Sequence, residues 1–136
     1  MDNDGVLKGI KVMIIDDSNT IRRSAELFLR LAECEVILAE DGFEAMSKIV
    51  DNQPDIIFVD IAMPRLDGYQ ACMLIKKNPI YQSIPVIMLS SKDGLFDKAR
   101  GRMAGSDDYL TKPFTAEGLL TKVSEFKSPI KARLII

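Results

Sequence analysis

Five short apolar runs, Lys11–Ile15, Glu35–Ala39, Ile56–Val59, Val86–Leu89 and Asp108–Leu110, alternate along this chain with stretches of helical periodicity. The runs are rich in Val and Ile and lack consistent polar alternation, the pattern of strands covered on both faces. Between them, Ile21, Ala25, Phe28 and Ala32 follow helical spacing. So do Phe43, Met46 and Val50, then Leu95, Ala99 and Met103, then Leu119, Val123 and Phe126, while Tyr69–Lys77 makes a shorter helix. Asp41-Gly42 and Asp67-Gly68 signal turns ahead of helices, Gly105 suits a helix end, and Asn78-Pro79 and Ile84-Pro85 punctuate the approach to the fourth run. Strict alternation of five strands and five helices predicts an α/β fold, with a parallel sheet, helices on both faces and right-handed crossovers. A length of 136 residues suits one such domain.

Folds of this kind bind ligands beyond the carboxyl ends of their strands. Asp16-Asp17 follow the first run, Asp60 the third and Ser90 the fourth, and Lys112 lies just past the fifth. A parallel sheet brings all five residues to one edge. Single residues here have ordinary explanations: Asp17 could cap the helix beginning near Ser18 or Asn19, Ser91 could cap a later one, and a lone lysine is normally solvated. The adjacent pair is harder to explain, because capping needs one acid and two carboxylates repel each other. A hard divalent cation would offset that repulsion.

The chain has no histidine. That removes the commonest general base, the commonest zinc ligand and serine–histidine catalysis. Three carboxylates, a hydroxyl and a lysine instead suit magnesium and phosphate. A carboxylate can take a phosphoryl group as nucleophile, while a cation, an ammonium and a hydroxyl donor stabilise the charge in transit. A net charge of −2 gives no reason to expect non-specific nucleic-acid binding, and no apolar stretch reaches membrane-span length. The acidic start, Met1-Asp2-Asn3-Asp4-Gly5, is unlike a signal peptide, so a cytoplasmic location is expected. Cys34 and Cys72 then read as reduced, small core hydrophobes.

Asp16-Asp17, Asp60, Ser90 and Lys112-Pro113-Phe114 together resemble the signature of the receiver domain of two-component response regulators, from about Lys11 to about Phe126. The resemblance implies a flavodoxin-like, doubly wound sheet of strand order 2-1-3-4-5 with five helices. It implies a domain over 10–127, flanked by an N-terminal extension, 1–9, and a tail, 128–136. By the same resemblance Asp60 is the phosphoacceptor and Asp17 a direct Mg2+ ligand. Asp16 binds the ion mainly through water, and the backbone carbonyl of Ala62 is a further ligand. Ser90 and Lys112 contact phosphoryl oxygens, and Tyr109 is the aromatic switch that moves with Ser90. A cis Lys112-Pro113 bond is suspected. Asp60–Gln70, Ser90–Arg100 and Ser18–Arg23 are similar to single-domain receivers of pilus-driven twitching-motility systems.

Without histidine the chain cannot supply its own phosphohistidine, so the resemblance implies a partner histidine kinase or a small phosphodonor. Output is expected through protein contacts at the face of the fourth helix, fifth strand and fifth helix. Lys92, Lys98, Arg100 and Arg102 there read as a solvated face or as a basic patch for a partner. Two other readings compete. One is an aspartyl-nucleophile Mg2+-dependent phosphatase, which carries a second Asp where this chain has Ala62. The other is a pseudo-receiver that never takes phosphate. The tail, with Leu134-Ile135-Ile136, reads as frayed chain or as a segment packing on the domain or a neighbour.

Overall fold

The structure, a computed structural model, describes residues 6–91 and 95–127. Strands β1 (Lys11–Ile15), β2 (Glu35–Ala39), β3 (Ile56–Asp60), β4 (Val86–Ser90) and β5 (Asp108–Thr111) alternate with helices α1 (Asn19–Leu31), α2 (Gly42–Asn52), α3 (Gly68–Lys77), α4 (Leu95–Met103) and α5 (Ala116–Glu125). All strand pairs are parallel and the order is β2-β1-β3-β4-β5. This is the flavodoxin-like topology that the resemblance implied. The third, fourth and fifth strands each run one residue beyond the apolar stretch. Asp60, Ser90 and Thr111 are therefore the last residues of their strands, held by the sheet itself.

Side chains of successive strand residues point to opposite faces. The sheet accordingly carries two cores. Met13, Ile15, Ile57, Val59, Val86 and Met88 pack with Ala45 and Ile49 of α2 and with Ala71, Cys72 and Ile75 of α3. Val12, Ile14, Ile56, Phe58, Ile87 and Leu89 pack with Ala25 and Leu29 of α1 and with Leu119 and Val123 of α5. Each fully buried Ile, Leu, Met or Phe contributes roughly 1.5–3 kcal/mol. The three central strands can therefore carry a few buried charges at their ends. The outer strands are less covered: β5 is half-buried throughout and β2 is buried only at Ala39.

Two helix faces differ from the sequence expectation. α2 turns Ala45 and Ile49 inward and leaves Phe43 and Val50 exposed, and Met103 at the end of α4 is also exposed. Three expected starts and stops hold. Asp41 caps α2, accepting from Glu44 N at 2.8 Å. Asp67 and Gln70 form a reciprocal capping box on α3, and Gly105 follows α4 at φ +97°. Leu7, within the expected N-terminal extension, is buried against the α1–α5 core. The tail 128–136, Lys92 and the capping of α4 by Ser91 lie outside the described residues.

Candidate functional site

β1 hands over to α1 through Asp16, Asp17 and Ser18. Asp16 N–H continues the pairing with β2 by donating to the Ala39 carbonyl at 3.1 Å. Its side chain is fully buried. One carboxylate oxygen accepts from Ser18 N at 2.8 Å and the other from Lys112 Nζ at 3.2 Å. Ser18, not Asp17, caps α1, its hydroxyl accepting from Ile21 N at 3.3 Å. Asp17 is thus released from capping and stands exposed beside Asp16.

Asp60 ends β3 with 3% of its surface exposed. Its Oδ1 accepts from Lys112 Nζ at 3.0 Å and from Ala62 N at 3.3 Å. Ser90, at the end of the neighbouring strand, is also buried. Lys112 N–H donates to the Ser90 carbonyl at 2.7 Å, so the β4–β5 ladder itself sets the start of the lysine's reach. The Lys112-Pro113 peptide is cis. Asp17, Asp60, Ser90 and Lys112 line a cavity of about 330 Å³, with Ile61, Ala62, Ser91 and Asp97. Carboxylate oxygens of Asp16, Asp17 and Asp60 all lie within 4.8 Å of one another. The structure therefore brings every strand-end residue anticipated from the sequence to one place.

The electrostatics follow from this crowding. Burial pushes the Asp60 carboxyl up to about 6; the Lys112 hydrogen bond opposes that rise and the Asp16 charge adds to it. Burial works against the charge on Lys112, but Asp60 and Asp16 together outweigh it and raise its pKa. Three carboxylates share one ammonium, which leaves the cluster short of positive charge. Oxygen donors at this spacing suit a hard divalent cation, and Asp16, Asp17 and Asp60 are the residues that fit it.

A larger hollow of about 640 Å³ lies between α4, β5 and α5, lined by Lys98, Arg102, Tyr109, Phe114 and Lys122 among others. Its acids are already engaged: Asp107 pairs with Lys76 and Asp108 with Lys122, each at 2.8 Å. The cluster of three carboxylates lies instead at the smaller cavity. Tyr109 packs on the α2–α3 core, its hydroxyl buried without a hydrogen-bond partner among the described residues. Lys98 Nζ sits 5.5 Å from the centre of its ring. Cys34 and Cys72 are buried free thiols, pushed by burial to about 11, and so inert core residues.

Residues 12–124 match the response regulator receiver domain family. The chain belongs to the response regulator receiver family. The receiver is 68% identical over 112 residues to Protein PilG of Pseudomonas aeruginosa, covering 82% of this chain and 83% of that one. It is 35% identical to Response regulator MprA of a Mycobacterium species over 84% of this chain, but that match spans only 49% of MprA. Among solved structures, chemotaxis protein CheY4 of Vibrio cholerae superposes with a TM-score of 0.83 at 32% identity, over 86% of this chain and 98% of that one. A putative response regulator from Chloroflexus aurantiacus gives 0.84 at 35% identity, over 89% and 99%.

Sequence reasoning missed several contacts in the receiver's site. Arg22 Nη1 donates to the Asp16 carbonyl at 2.7 Å, and its Nη2 lies 3.9 Å from Glu40. A signal existed: an arginine in the first turn of α1 opposes the helix dipole and calls for another partner. Asp97, which lines the cavity, and Ala62 N–H, which holds Asp60, carried no such signal.

Proposed function

We propose that this receiver is a phosphorylation-driven signalling switch whose phosphoacceptor is Asp60. The observation that carries the reading is the Lys112 ammonium bridging buried Asp60 and Asp16 at 3.0 and 3.2 Å, inside a cluster of three carboxylates. A carboxylate oxygen of Asp60 attacks phosphorus, and the bond from phosphorus to the donor's imidazole nitrogen breaks. The donor nitrogen keeps the electron pair and later takes a proton, and Asp60 becomes an acyl phosphate. Lys112 follows the charge onto a phosphoryl oxygen, and the Ser90 hydroxyl donates to another. Mg2+, held by Asp16, Asp17, Asp60 and the Ala62 carbonyl, would neutralise charge on the phosphoryl group. Asp60 supplies the nucleophile and carries the product, and the chain catalyses only its own phosphorylation and dephosphorylation.

Phosphorylation then acts on a two-state element. Ser90 shifts toward the phosphoryl group and Tyr109 repacks, and the α4–β5–α5 face changes its affinity for a protein target. The phosphodonor is a partner histidine kinase. The identity to PilG, with the Asp60–Gln70 and Ser90–Arg100 segments, supports a place in chemotaxis-like control of type IV pilus twitching motility in the cytoplasm. No helix among the described residues is long and apolar enough to cross a membrane.

The test is intact mass after incubation with Mg2+ and acetyl phosphate. Wild type gains one phosphoryl group and Asp60→Asn gains none. Lys112→Ala gains it about 100-fold more slowly, as for loss of one donor to a developing anion. No gain by wild type would favour a pseudo-receiver, and steady release of phosphate from varied phosphomonoesters would favour a phosphatase.

A further inference from the structure

α4 is thinly anchored. Among the residues of α4 whose side chains are described, only Gly101 is buried, and the helix ends at the exposed Met103. Two of its basic side chains lie over aromatic rings of neighbouring elements. Lys98 lies over the Tyr109 ring of β5. Arg100 lies over the ring of Tyr69 on α3, its guanidinium carbon 4.3 Å from the ring centre. That is well inside cation–π range, whereas the Lys98 contact at 5.5 Å is near its limit. Arg100 has no carboxylate within ion-pairing distance among the described residues, so the ring is its principal partner. The Tyr69 hydroxyl also reaches the Asp97 carbonyl of α4 in a long hydrogen bond of 3.5 Å.

The other end of Tyr69 leads to the site. The residue is 5% exposed and packs in the α2–α3 core. The preceding residue, Gly68, donates its N–H to the Ile61 carbonyl at 3.0 Å. It packs so closely on Asp60 that any Cβ would collide with the Asp60 carbonyl oxygen. The first turn of α3 therefore rests on the backbone that carries Asp60, and its second residue grips α4. Asp97, the residue gripped, itself lines the cavity that Asp60 lines. Tyr109, on β5, meets α4 through Lys98, and its hydroxyl has no partner among the described residues.

We propose that Tyr69 is a positioning residue of the switch, a fixed aromatic anchor that ties α4, through Arg100 and the Asp97 carbonyl, to the backbone of Asp60. Tyr109 is the movable partner of this anchor. When the ring of Tyr109 repacks, α4 turns about Tyr69 instead of detaching, so a local change at Asp60 arrives at the output face as a defined motion of one helix. The coupling rests on the phosphorylation reading of Asp60; the anchor itself does not.

Hydrogen exchange followed by mass spectrometry separates the two. In protein without phosphodonor, Tyr69→Leu and Arg100→Ala raise the exchange rates of α4 amides at least tenfold, while β3 amides stay as in wild type. Tyr69→Phe, which keeps the ring, raises them by less than threefold. After Mg2+ and acetyl phosphate, each variant gains its phosphoryl group, but the change in α4 exchange that wild type shows falls by more than half in Tyr69→Leu and Arg100→Ala. Unchanged α4 exchange in both of those variants overturns the anchor. Normal phosphorylation with an undiminished α4 response overturns the coupling. If wild type gains no phosphoryl group, the coupling falls with the functional reading, and the arm without phosphodonor still decides the anchor.

Discussion

As the proposed phosphoacceptor, Asp60 carries two opposing demands. Attack on phosphorus would require it ionised, yet burial lifts its pKa to about 6 in the metal-free protein. A carboxyl whose folded-state pKa is raised favours the fold most fully below the ordinary value near 3.9, and that contribution is lost as pH rises through 6. A tenfold difference in proton affinity between the folded and unfolded states is worth about 1.4 kcal/mol. Asn mimics the protonated side chain but gives up part of the Lys112 pairing. Asp60→Asn should therefore be more stable than wild type by about 1–3 kcal/mol at pH 8 in EDTA, with the gain vanishing near pH 4. Urea unfolding at the two pH values measures this. A gain that is the same at both would show that the carboxylate carries no burial cost. The charge that the proposed reaction needs on Asp60 is thus also a local weakness of the fold.

α3 shows how an element places a residue it does not contain. Its capping box fixes where the helix begins, and Gly68 lets that first turn lie directly on the Asp60 carbonyl. Gly68→Ala should cost about 1–3 kcal/mol, as overpacking does, and slow phosphorylation of Asp60 by moving its backbone. Thermal unfolding and the acetyl phosphate assay read the two effects; a stable variant with wild-type phosphorylation would deny α3 this role. The strand ends were legible in the sequence because an apolar run stops visibly at Asp16, Asp60 or Ser90. The inward face of α2 was not. Phe43 and Val50 gave the stronger hydrophobic signal, but a helix packed close on a sheet takes the small Ala45, and Phe43 turns out beneath Arg65, 5.7 Å away. The Tyr69–Arg100 contact was illegible for another reason: it joins residues on different elements, and no periodicity records such pairs.

Across the whole molecule, the proposed phosphoryl site concentrates acid where the fold is otherwise most apolar. Three central strands, buried along most of their length, converge on a cluster whose three carboxylates have one ammonium among them. The overall net charge is only −2, so the repulsion is local and the rest of the surface does nothing to relieve it. A cation that binds this cluster favours the folded state, because unfolding parts Asp60 from the adjacent Asp16 and Asp17. Mass action then gives about 2.7 kcal/mol of added stability at a ligand concentration 100 times the dissociation constant. For a domain of this size that corresponds to a rise in Tm on the order of 10 °C. Asp17 is the exposed acid and makes no capping contact, so Asp17→Asn should leave the metal-free stability within about 0.5 kcal/mol of wild type. The same change should abolish most of the rise with Mg2+. Calorimetry of both proteins across a magnesium titration, with matched sodium chloride to hold ionic strength, checks this. An equal rise in the two would mean that Asp17 holds no ion and that magnesium stabilises the protein elsewhere.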